Sequence, residues 1–240
     1  VIDAAGMASE RVNRIVRKRR VITAASITHP AVAAATTFAP FALDASRHKE
    51  PLPSDLPAPV AAQLTPGDGV RVTVEGTMLD FWWVKALPAK GSAESPTWAD
   101  VAEGALVGAV RVSADFSDMR GRVIKPGTYT LRYGIQPQNG DHLGVSPFRE
   151  FLLISPAALD TEPAPRGHEG TVEISKRTIG VSHPAVWSID PPVAAAGQPV
   201  ASSHKTDLGH DAVIVEVPTL REGKTGALKF GIVLVGRIEG

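Results

Sequence analysis

Thr128-Tyr129-Thr130-Leu131-Arg132-Tyr133, entered through Lys125-Pro126-Gly127, decides how the rest of the chain is read. Threonine, tyrosine and leucine in close alternation favour a pleated strand, and the preceding Pro-Gly marks a turn. Val70-Arg71-Val72-Thr73-Val74 repeats apolar and polar residues with the two-residue period of a half-buried strand. Glu75-Gly76 is a turn, and Met78 to Lys85 forms the next strand. Ala105 to Val112 follows, with Gly108 marking a bulge or a close backbone approach. Arg120 to Ile124 pairs briefly. Phe148 to Ile154, Trp187 to Ile189, Val200 to Ser203, Ala212 to Val217 and Ala227 to Val235 complete the strands. The last two are near-continuous apolar runs, the pattern of central strands. Residues 171–178, TVEISKRT, read as one short helix, capped by Glu169 or Thr171 and ended by Gly180. Many short strands at turn-bounded spacing predict a mainly β domain, an antiparallel β-sandwich or jelly roll.

Composition narrows the class. The 240 residues suit one large β domain or two small ones, and 22 Gly with 20 Pro disfavour long helices. Lysine plus arginine (25) equals aspartate plus glutamate (25), which argues against a basic nucleic-acid-binding surface. The absence of cysteine removes disulfides, thiolate nucleophiles and Cys-ligated metal centres. Charge is unevenly spread. Arg11, Arg14, Arg17, Lys18, Arg19 and Arg20 precede an uncharged stretch over residues 21–43. That order predicts an export signal within residues 1–45 and a periplasmic or secreted product of a bacterial envelope. Pro30 and the Ala/Thr-rich composition of the stretch make a stable transmembrane span unexpected. A proline-rich linker over residues 46–68 then leads to one β-rich domain, 69–240, with a subdivision point near 155–170.

The Lys125 to Leu131 segment resembles the strand entry of secreted bacterial β-sandwich proteins. The wider stretch from Leu79 to Leu159, including Asp141-His142-Leu143-Gly144-Val145-Ser146-Pro147, resembles an uncharacterised exported bacterial family. The resemblance implies architecture and export. It implies no activity.

Three places could carry chemistry. The segment Ser203 to Asp211 brings His204, Asp207 and His210 together, and imidazole with carboxylate suits a transition metal. His142 is the expected further ligand, from a Gly-rich turn where Asp141 stands beside it. The bland reading of both is a solvated loop. Ser182-His183-Pro184 follows the helix, and His183 is a candidate ligand-binding residue. No G-x-S-x-G elbow accompanies it, which weighs against a serine hydrolase. Phe81-Trp82-Trp83 alternates across a strand. Trp82 and Trp98 could form an aromatic platform for a sugar or an envelope protein partner, unless sheet and loop bury both. Asp80, Asp115 and Asp118 lack the pattern of a calcium loop.

These features predict an exported, non-catalytic β protein that binds a ligand or a partner protein. The alternatives are a periplasmic metal-binding protein using loop histidines, with a transition metal as cofactor, and a carbohydrate-binding module.

Overall fold

The computed structural model describes residues 43–91, 96–137, 148–191 and 195–236. The expected export signal, apart from its last residues, lies outside them. Its strands are β1 (Leu43–His48), β2 (Leu64–Val74), β3 (Thr77–Val84), β4 (Leu87–Pro88), β5 (Leu106–Val112), β6 (Phe116–Ser117) and β7 (Val123–Ile124). They continue as β8 (Gly127–Ile135), β9 (Glu150–Pro156), β10 (Val186–Asp190), β11 (Ser203–Lys205), β12 (Asp211–Arg221) and β13 (Lys224–Val235). The helices are α1 (Ala58–Ala61) and α2 (Gly167–Ile179), with a 3-10 turn at Trp98–Asp100.

The domain is mainly β, and its pairings are antiparallel except for β4 with β12. The sheet order is β1-β2-β3-β5-β8-β9-β10-β13-β12-β11. Most neighbours therefore follow each other along the chain, as in a meander, where a jelly roll would require Greek-key crossings. β10 joins the two halves. Residues 186–188 pair with β9, and Ile189 and Asp190 pair with β13. The sheet curls until β1 comes within 8 Å, between Cα atoms, of β11 and β12. No ladder joins those edges. A gap of about 190 Å³ lies at this seam, with Arg47 and Val70 on one side and Glu216 and Pro218 on the other.

Alternation along each strand fills the concave interior. Phe81 and Trp83 share a face two residues apart and stack with centroids 5.5 Å apart. Trp187 meets Phe81 at 5.7 Å, while Phe230 meets Trp83 at 6.5 Å and Trp98 at 4.8 Å. Trp98 stacks on Tyr133 at 4.7 Å. This aromatic spine runs through one core shared by strands on both sides of residues 155–170. Each such ring pair adds roughly 0.5–1.5 kcal/mol beyond area burial.

Two glycines are required by close approach. A Cβ on Gly108 would stand 2.4 Å from the Trp82 carbonyl oxygen, and the β5–β8 register slips beside it, as a bulge does. At Gly104 (φ +80°) a Cβ would meet the Gly167 nitrogen at 2.6 Å. The start of α2 is thereby seated on the turn before β5.

A buried ion pair pins the segment leading into α2. Arg132 and Asp160 both have fully buried side chains, and Arg132 Nε donates to Asp160 Oδ2 at 2.6 Å. Its Nη2 donates to Asp160 Oδ1 (2.9 Å) and to the Glu162 carbonyl. Its Nη1 donates to the carbonyls of Gly104 (2.7 Å) and Ala164 (3.0 Å). All five guanidinium donors are used. Asp160 also accepts from Thr130 Oγ1 (2.5 Å) and Arg166 Nε (3.0 Å).

This network explains why α2 begins at Gly167, four residues before the expected start. Its N-cap, Arg166, makes no capping bond with its side chain, so tertiary contacts set that end. Gly180 (φ 68°) closes the helix as expected. Ser175 Oγ bonds the Ile154 and Ala185 carbonyls, and Thr178 Oγ1 bonds Ile154, fixing α2 across β9. The segment 46–68 holds regular structure too. The end of β1 pairs with β2, α1 occupies residues 58–61, and β2 begins at Leu64. β1 is a proline-free edge strand, and Pro66, within β2, falls where the β2–β3 register shifts between Leu64 and Gly69. The strand expected at 200–203 forms at 203–205, because Ala201 adopts φ 61°, which an extended strand cannot hold.

Candidate functional site

Two hollows adjoin where β9, β10 and α2 meet. The larger, about 290 Å³, is a cleft walled by apolar Phe148, Phe151, Val172, Val186 and Pro184. Arg120, His183, Glu150, His168 and Lys176 supply its polar groups. The smaller, about 160 Å³, is lined by Met119, Ile189, Leu208 and Val233 together with Asp190, Asp207 and His210. Phe148 and Ser188 line both.

Arg120 reaches the cleft from a local turn. Asp118 Oδ1 accepts from the backbone nitrogens of Arg120 and Arg122, each at 2.9 Å. That arrangement is an Asx-type turn, and it fixes the 118–122 loop over the strands. Nη1 of Arg120 bonds His183 Nε2, while His183 Nδ1 contacts the Pro184 carbonyl at 2.7 Å. A guanidinium only donates and a carbonyl only accepts. His183 is therefore the neutral tautomer with its proton on Nδ1. No carboxylate ion-pairs with Arg120 among the described residues. Burial lowers its pKa, Arg122 adds to the effect, and the Asp118 charge opposes it. The cleft thus holds a partly desolvated cation against apolar walls. Of its other charges, His168 Nδ1 lies 2.7 Å from Glu103 Oε1, Lys176 Nζ is 2.5 Å from Glu173, and Glu150 accepts from the Arg149 backbone nitrogen at 3.1 Å.

Asp190 governs the smaller hollow. It is 5% exposed, and its Oδ2 accepts no hydrogen bond. His204 Nε2 lies 3.3 Å from that oxygen without hydrogen-bond alignment. Burial raises the Asp190 pKa, His204 pulls it down, and Asp207 pushes it up. The structure places His204, Asp207 and His210, expected as a cluster, about this hollow. Asp207 and His210 line one hollow, and His204 faces its buried carboxylate from β11. Among the described residues, no three His, Asp or Glu side chains converge as a metal shell. Asp141 and His142 lie outside the described residues.

The aromatic platform is corrected. Trp82 is 1% and Trp98 3% exposed. Trp82 lies on the sheet face opposite Phe81 and Trp83, but the proline-rich segment covers it. Its Nε1 donates to the Glu50 carbonyl at 3.2 Å, and the His48 ring meets it edge-on at 5.0 Å. Trp98 is inserted between Tyr133 and Phe230 by the 3-10 turn. Neither ring is open to a sugar. The three aspartates are dispersed as well: Asp80 binds Arg71, Asp115 binds Lys125, and Asp118 holds its own turn.

Two roomier hollows, about 570 and 770 Å³, hold charges that are in part paired and in part exposed, Glu75 in the first and Arg111 in the second. Lys205 meets Asp211 at 2.7 Å in one, and Arg71 meets Asp80 at 2.6 Å in the other. Sequence reasoning missed Arg120 and Asp190. Arg120 depends on a partner 63 residues away. Asp190 reads as the polar end of a strand before Pro191-Pro192, and no local pattern signals its burial. Comparison with protein-family models, curated proteins and solved structures finds no match for this chain.

Proposed function

We propose that this protein is an exported, non-catalytic ligand-binding domain, with the cleft between α2 and the β9–β10 strands as its site. The ligand is a small, largely apolar molecule bearing a carboxylate. One observation carries this reading: Arg120 presents a partly desolvated guanidinium to apolar walls with no carboxylate ion-paired to it among the described residues. Arginine matches a carboxylate with two parallel donors, and clefts of a few hundred Å³ with few polar groups are the usual form of small-molecule sites. The scaffold acts as a sandwich-like frame that carries loops at one end. The basic and uncharged leader supports passage to a bacterial periplasm or exterior. Among the described residues, no helix is long and apolar enough to cross a membrane.

Isothermal titration with hexanoate and 4-phenylbutyrate tests the site. Binding that weakens about tenfold or more in Arg120→Met, the size of one charge-assisted contact, supports it. Two folded proteins, original and variant, that bind neither acid would refute it. Residues 1–45 fused to a reporter active only outside the cytoplasm test export separately.

A further inference from the structure

The cleft and the smaller hollow adjoin. Ser188 and Phe148 line both, and the consecutive residues Met119 and Arg120 each line one. Their charged groups have opposite sign. Arg120 serves the cleft, and Asp190 serves the smaller hollow with a carboxylate oxygen that is buried and accepts no hydrogen bond. A buried carboxylate oxygen without a donor is an incomplete arrangement, because burial of a charge is unfavourable unless a partner compensates it. Met119, Ile189, Leu208 and Val233 make much of the wall apolar, and Ser188, Thr206, His210 and His204, the last at 3.3 Å, stand near without completing a hydrogen bond to that oxygen. An ammonium group carried on an apolar stem supplies both the donors and the apolar contact.

We infer that Arg120 and Asp190 form the two poles of one site for an amino carboxylate, whose carboxylate meets Arg120 and whose ammonium meets Asp190. This deepens the proposed function and rests on it for the Arg120 pole. The spacing selects the ligand further. Ser188 and Asp190 are on the same face of β10 and two residues apart, about 7 Å along a strand. Arg120 lines the cleft with Ser188. Because the two poles line different hollows, the inferred ligand holds its charges apart, unlike the adjacent charges of an α-amino acid backbone. The poles fit a chain with its ammonium several methylenes from its carboxylate, as in an ω-amino acid or the side chain and terminal carboxylate of a C-terminal lysine. The 160 Å³ of the acidic end suits a short aliphatic stem, since an apolar cavity of about 150 Å³ accommodates a benzene-sized group.

Three probes of matched length test the inference on the full chain at neutral pH: 6-aminohexanoate, hexanoate and hexylamine, each titrated calorimetrically. The expected result is that 6-aminohexanoate binds about tenfold or more tightly than either single-ended probe, the size of one further charge-assisted contact. Asp190→Asn then reduces 6-aminohexanoate to the affinity of hexanoate and leaves hexanoate unchanged. Arg120→Met reduces it to the affinity of hexylamine. If hexanoate matches 6-aminohexanoate in the unaltered protein, the two-pole site is refuted while the carboxylate cleft stands. If hexylamine alone binds, the cleft reading fails and only the acidic pole remains. Absence of binding by all three refutes both. The probe comparison uses the unaltered protein, so it decides the question even where a variant does not fold.

Discussion

Replacing Arg132 with methionine keeps an unbranched apolar stem, shortens the side chain and removes five donors from the interior. Asp160, fully buried, loses two of its four hydrogen bonds and its main counter-charge, keeping those from Thr130 and Arg166. The carbonyls of Gly104, Glu162 and Ala164 each lose a partner. Removing one member of a buried ion pair costs about 3–5 kcal/mol, and a stranded buried acceptor costs roughly 1–3 kcal/mol. Arg166 stays in place and water can reach the loosened 160–166 segment, so the loss falls at about 4 kcal/mol. That is a large part of the roughly 5–15 kcal/mol by which domains are stable. Equilibrium urea unfolding measures it as a lowered midpoint. Trypsin adds a local reading. The ion pair anchors the segment before α2, so cleavage after Arg166 should accelerate well before global unfolding. Arg132→Met combined with Asp160→Leu removes the uncompensated charge and should recover part of the loss. A single variant that loses less than about 1 kcal/mol, with unchanged cleavage after Arg166, would refute the view that this pair holds the helix entry.

Gly108→Ala places a Cβ against the Trp82 carbonyl at 2.4 Å. It should destabilise by about 1–3 kcal/mol in urea unfolding, the range for overpacking. The four tryptophans are buried. Emission should be blue-shifted, weakly quenched by acrylamide and unchanged across a glycan panel, whereas strong quenching would contradict the closed core. Asp190 faces His204, Asp207 and His210, and its pKa is raised above the unfolded value, chiefly by burial. The folded state therefore favours the protonated carboxyl, whose stabilising contribution is full below the unfolded pKa, about 3.9, and is lost as pH rises through the folded pKa. Asp190→Asn should accordingly be more stable than the parent protein at neutral pH, with the difference vanishing at acid pH. Thermal melts between pH 3 and 8 would show the two curves converging toward acid pH, and a parallel offset at every pH would refute it.

Strand periodicity made most of the fold legible. Val70 to Val74 and Thr128 to Tyr133 form strands where alternation placed them, and Gly108 marks the bulge that its position in an apolar strand implied. The departures arise where distant contacts override local signals. β1 carries only modest alternation, and its pairing with β2 defines it. α2 starts early because Arg132, Asp160 and Gly104 hold its entry, none of which lies in the helix. In the sequence, His183 stood out at the corner after the helix and the 203–211 segment as a dense cluster of polar residues. The groups that give them meaning, Arg120 and Asp190, became visible only through burial. Trp82 misled because its cover is supplied by Glu50 and His48 from another part of the chain.

The open seam between β1 and the β11–β12 edge bears on how freely the sequence can drift. In a closed barrel, strand number and stagger fix the circumference, so an enlarged interior residue must distort a hydrogen-bonded ladder. Here the circumference has a free joint, with about 190 Å³ of slack beside Val70, Glu216 and Pro218. A larger side chain on the inner face of β1 or β2 can be absorbed by parting the two edges, with every ladder intact. The same enlargement on β8 or β9, each flanked by paired strands on both sides, has no such outlet. Variation among descendants of this chain should therefore collect beside the seam, and the cleft wall on β9 and β10 should stay fixed.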